Sequence, residues 1–83
     1  MKVAKFDFDL ELQPLLQHDL RGQLVKIHFK GPQSAKHLIE SLHIPHTEVG
    51  PLSANGESIG LEYIVHDGDR IDVQPVPPTP MVR

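Results

Sequence analysis

Three groups of side chains have the types and spacing to do chemistry. The first is a histidine set, His37, His43 and His46, with Glu48 as a fourth ligand. A metal site legible in sequence shows such donors at i, i+4 or H-x3-5-H spacing on one element. Only the loose His43/His46 pair approaches that, so solvated or capping histidines are the expectation, and no metal or cofactor is assigned. His46 is the one to watch, as a partner contact or as a side chain bonding loop backbone beside Thr47. The second group is carboxylates, Asp67/Asp69 and Asp7/Asp9/Glu11. The spacing predicts a turn-capping aspartate with a solvated neighbour in the first set, and a wet strand edge in the second, in preference to a general acid/base pair. With no cysteine and no nucleophile–base arrangement, no catalytic residue is assigned.

The third group is cationic: Lys5, Lys26, His28, Lys30 and Arg70. These fall on the outward side of three alternating segments. If those segments are neighbours, the five share a face with Asp7 and Asp72, and with Val3 and Leu24 as apolar contact area. Such a face can touch RNA phosphates or an acidic protein. The formal net charge of −3 over 83 residues argues against a free-standing nucleic-acid binder, and no DNA contact is expected. The N-terminus lacks an apolar signal region, and no run approaches a membrane span. A cytoplasmic protein without a membrane partner is the expectation.

The elements that must position these groups follow from periodicity. Lys2 to Phe8 and Gln23 to Lys30 alternate, with Ala4, Phe6, Phe8, Val25, Ile27 and Phe29 inward, and the two segments are expected to pair antiparallel. Between them, Leu10, Leu12, Leu15 and Leu16 are expected to tuck against the core from a short turn around Pro14. Ser34 caps a helix over about Ser34–Leu42 with the stripe Ala35, Leu38, Ile39 and Leu42, and Pro45 ends it. Ile44 and Val49 plug the core from a loop. Leu52–Ala54 leads into an Asn55-Gly56 turn, and Ile59, Leu61, Tyr63 and Ile64 are expected to be buried. An Asp67-Gly68-Asp69 turn opens a closing strand from Arg70 to about Val76. Strand, strand, helix, short strand, strand describes an α+β roll of the ubiquitin-like β-grasp kind, a mixed sheet of four to five strands with one main helix. The expected domain covers residues 1–76, with 77–83 as a proline-rich tail.

The segments Pro45-His46-Thr47-Glu48-Val49, Asn55-Gly56-Glu57-Ser58 and Asp67-Gly68-Asp69-Arg70, with the helix Leu38-Ile39-Glu40-Ser41-Leu42, bring a family into view. From about Lys2 to Pro75 the chain resembles the ubiquitin-like domain found N-terminal to the Mut-seven-C RNase domain in prokaryotic proteins. The resemblance implies a non-catalytic accessory module, fused to or associated with a PIN-like RNase. It would position RNA or a protein partner, or regulate the nuclease. Where the family has glycine at the helix end, this chain has His43. The proline-rich Pro75 to Pro80 has the character of a semi-rigid linker. The alternative is a sulfur carrier, which shares the Asp-Gly-Asp turn. Its chemistry needs a C-terminal Gly-Gly threaded through a narrow enzyme channel, and the last glycine here is Gly68.

Overall fold

Five strands, β1 (Lys2–Phe8), β2 (Val25–Phe29), β3 (Val49–Ala54), β4 (Glu57–Ile59) and β5 (Arg70–Pro75), and one α-helix, α1 (Ala35–Glu40), make up the computed structural model, which describes residues 1–77. The strands form one sheet in the order β2-β1-β5-β3-β4. Only the central β1/β5 pair is parallel; β1/β2, β3/β5 and β3/β4 are antiparallel. This is the α+β β-grasp architecture. Most of the expected tail lies outside the described residues.

The alternating segments form strands because one side of each has somewhere to go. Ala4, Phe6 and Phe8 of β1, Val25, Ile27 and Phe29 of β2, and Ile71 and Val73 of β5 join Ala35, Leu38 and Ile39 of α1 in one core. The Phe6 and Phe8 rings stack there with centroids 6.1 Å apart. The helix covers this side of the sheet, and the charged sides of β1, β2 and β5 face solvent.

The helix is shorter than its apolar stripe. Ser34 caps it, its hydroxyl accepting from the His37 N–H at 3.1 Å, but the regular body ends at Glu40. Ser41 keeps helical angles, Leu42 packs partly buried against the core, and His43 turns into the left-handed region at φ 69. That reversal lets Pro45 leave in extended geometry and seats Ile44 fully inside. Left-handed angles crowd a Cβ, which explains why glycine suits this position better.

Three local expectations need correction. Of the four leucines after β1, only Leu12 and Leu16 are buried, while Leu10 is 84% exposed and Leu15 partly so. The segment is a 3-10 helix over Leu10–Leu15. So tight a turn aims Leu12 inward, and the extended exit at Leu16 returns a second leucine. Ile64 is exposed and Val65 is buried in its place. There the chain runs extended past the start of α1, with the Val65 N–H donating to the Gln33 carbonyl at 2.9 Å, so alternation turns Ile64 outward. Finally, β3 begins at Val49, earlier than expected, because its register with β5 shifts between Val49 and Leu52. Gly50 sits at that shift, where a Cβ would overlap the Pro75 carbonyl. The Asn55-Gly56 turn between β3 and β4 has φ 54 and 89, the pair of positive angles that a tight hairpin of matching twist requires.

Two substitutions report on these constraints. His43→Gly should raise stability by about 0.5–1 kcal/mol, as relief of the left-handed Cβ outweighs the added freedom of the unfolded chain. Gly50→Ala should lower it by about 1–3 kcal/mol, since β3 and Pro75 must separate. Urea unfolding of both variants measures the two effects.

Candidate interaction face of the sheet

The register of the three strands decides which charges meet. Lys5 lies opposite Lys26 on one side and opposite Arg70 on the other, so Lys26, Lys5 and Arg70 form a row across β2, β1 and β5. His28 lies opposite Val3, and Lys30 follows the end of β2, exposed. The next row is acidic, with Asp7 opposite Asp72. Five of the six residues singled out from the sequence thus share the outward side of the β2–β1–β5 half. His46 does not join them.

Arg70 is not a free cation. Its Nη2 donates to Asp7 Oδ2 at 2.7 Å, and its Nε lies 3.5 Å from Asp72 Oδ1. Ser53 donates to the other oxygen of Asp72 at 3.4 Å. Arg70, Asp7 and Asp72 are each about half exposed, so these pairs add little stability. Their effect is on pattern: one arginine is neutralised between two aspartates, and the uncompensated positive charge shifts toward β2. The face is therefore two-toned, with Lys5, Lys26 and Lys30 at one end and carboxylates at the other. Asp9 lies near the acidic end, where it accepts from the Glu11 N–H as the cap of the 3-10 helix.

His46 instead opens the 3-10 helix His46–Glu48, and its Nδ1 lies 2.7 Å from Glu40 Oε2 at the end of α1. The expected bond to loop backbone is replaced by this side-chain pair. The imidazole hydrogen bond holds the Glu40 carboxyl below its ordinary pKa. Among the described residues, no group of three or more His, Cys, Asp or Glu is placed to hold a metal ion. No helix among them is long and apolar enough to cross a membrane.

What places Arg70 in its row is a cluster around Asp69. Of the turn's two aspartates, one expected to cap it and the other to be solvated, Asp69 is the capping one, and it is only 6% exposed. Its carboxylate accepts from Asn55 Nδ2, the Tyr63 hydroxyl and the His66 N–H, each at 2.8 Å. Asn55 in turn accepts from the Arg70 N–H at 2.9 Å and donates its own N–H to the Arg70 carbonyl at 2.8 Å. Asp67 is the exposed member, and it accepts from the Val3 N–H at 2.8 Å. Burial raises the pKa of Asp69, but the His66 N–H, the Asn55 amide and the Tyr63 hydroxyl, with the His66 charge, outweigh it and hold the pKa below normal. The Tyr63 hydroxyl is pushed up, first by its hydrogen bond to Asp69. Asp-Gly-Asp marked the turn, but nothing local marked which aspartate would be enclosed.

This fold, with an open charged sheet face and a buried Asp69 fastening its closing strand, defines a ubiquitin-like module. Residues 1–79 match the family model described as Mut7-C ubiquitin, and the chain belongs to that family. No match was found among curated proteins or among solved structures.

Asp69→Asn should cost about 2–4 kcal/mol, because one oxygen becomes a donor facing donors in a buried site. The pH dependence has a fixed sign. A carboxylate with a depressed folded pKa stabilises above its unfolded value and loses that share as pH falls through the folded value. The stability gap between wild type and Asp69→Asn should therefore be flat near neutrality and narrow below about pH 4. Urea titrations at several pH values measure it.

Proposed function

We propose that this chain is a non-catalytic accessory module of a PIN-like RNase, docking a protein surface, that of the RNase domain itself, on the outward face of β2, β1 and β5. Membership of the Mut7-C ubiquitin family supports the association with an RNase. The observation that carries the choice of partner is the pairing of Arg70 with Asp7 and Asp72. Among the described residues it leaves three lysines, Lys5, Lys26 and Lys30, as the uncompensated cations of the face. Three phosphate contacts would give RNA a salt slope of only about −2 on single strands, weak against an overall negative charge. A face with a basic and an acidic end suits a protein surface of the opposite pattern, where charge sets orientation and encounter rate. A sulfur-carrier role gains nothing from this face, since its chemistry belongs to a Gly-Gly terminus. Among the described residues, catalysis by the module has no arrangement of groups to support it.

The test is an amide-resonance titration of the module with a separately expressed Mut7-C-type RNase domain, and in parallel with single-stranded RNA at 50 and 150 mM salt. The expected result is shifts at Val3, Lys5, Lys26 and Arg70 with the RNase domain, lost in Lys5→Glu, and none with RNA at the higher salt. RNA binding that persists at 150 mM salt would replace the protein reading with the RNA one. If the RNase domain leaves the face unshifted, the docking proposal fails.

A further inference from the structure

The backbone of β2 is directed in a way that the charge pattern makes selective. Along β1 the odd residues use their peptide groups toward β5: the Lys5 N–H donates to the Asp69 carbonyl at 2.9 Å, and the Val3 carbonyl accepts from the Gly68 N–H at 2.8 Å. The even residues therefore face β2. In the antiparallel register Lys2, Ala4 and Phe6 lie opposite Phe29, Ile27 and Val25, so these β2 residues use their peptide groups on β1. The N–H and C=O groups of Lys26 and His28 then point away from the sheet. Since β2 is the outermost strand, they meet no neighbour in it, and no backbone partner for them occurs among the described residues.

We infer that this edge accepts an extended acidic segment of a protein partner as a sixth, antiparallel strand, its acidic side chains alternating with apolar ones. The inference deepens the reading of the module as a protein-docking unit and rests on it. The chemistry follows from the register. Partner residues paired with Lys26 and His28 exchange two hydrogen bonds with each, and their side chains emerge on the outward face directly beside the lysine and the imidazole. Carboxylates suit those positions, with Lys30 at the end of the strand adding to the same field. The partner residue between them faces the helix side, beside Ile27, the most exposed member of the core at 9%. An apolar side chain there covers it. The required pattern is thus apolar, acidic, apolar, acidic, apolar.

The same charges select against other occupants. Two copies pairing edge to edge about Ile27 would set Lys26 of each against His28 of the other, and exposed lysines on an edge strand keep like strands apart. The opposite edge, β4, is three residues long and begins with Glu57, so it offers an acidic strand a shorter ladder and the wrong sign.

The experiment uses the full chain and a capped peptide, Ser-Val-Glu-Ile-Glu-Val-Ser, against a control with lysine in place of each glutamate. The glutamate peptide should bind at least tenfold more tightly, shift the amides of Lys26 and His28 most, and slow their hydrogen exchange. In Lys26→Pro the outward N–H is gone while the β1 ladder is untouched, and affinity should fall at least tenfold. A second variant, Lys26→Glu with Lys30→Glu, keeps the N–H and should reverse the peptide preference even if the proline variant does not fold. Equal binding of both peptides, an unreversed preference in the glutamate variant, or shifts centred on β4 would overturn the inference. So would concentration-dependent dimerisation of the free chain through β2. If the peptide fails while the RNase domain still shifts Lys5 and Arg70, the edge inference falls and the face reading stands. If neither binds, both fall.

Discussion

The Asp69 carboxylate gathers three stretches of the chain at the start of β5. Three donors converge on it: the amide of the β3–β4 turn, the hydroxyl of the segment that passes the helix, and the peptide N–H of the turn before β5. Buried charge is costly to leave unpaired, and here three donors meet it, so the ion is retained and its pKa is lowered. The consequence reaches the outward face. Asn55, held by Asp69, grips both peptide groups of Arg70, and Arg70 starts the strand that runs parallel beside β1.

That central parallel pair explains why the charges fall where they do. With β5 fixed at its first residue, the register puts Arg70 beside Lys5 and Asp72 beside Asp7. The arginine then bridges the aspartates, where a one-residue slip would turn it toward the core. The two-toned face is thus set by a buried carboxylate on the far side of the strand's first residue. Positive charge accumulates toward β2, whose outer edge has no backbone partner among the described residues.

Much of the architecture was legible because it rests on local rules. Alternation in β1, β2 and β5 named the core residues, Ser34 named the helix start, and Asn55-Gly56 and Gly68 named the reversals. The misreadings share a cause. Leu10, Leu15 and Ile64 lie in segments too short for their period to be read from the sequence. The helix end was placed by its stripe, but Leu42 reaches the core from beyond the regular turns. Gly50 gave no signal, as its role depends on how closely Pro75 approaches from another strand.

The candidate face divides along the same line. The sequence by itself determined that Lys5, Lys26, His28 and Arg70 point outward, since side chains on a strand alternate with period two whatever lies beside them. It determined the two turns for the same local reason, the positive φ that glycine and asparagine tolerate. Only the tertiary structure decided that Arg70 is spent on Asp7 and Asp72, that His46 belongs to Glu40, and that Asp69 is enclosed while Asp67 is exposed. Each of those outcomes depends on residues brought together across strands or loops, and strand order and register carry no mark within any single segment.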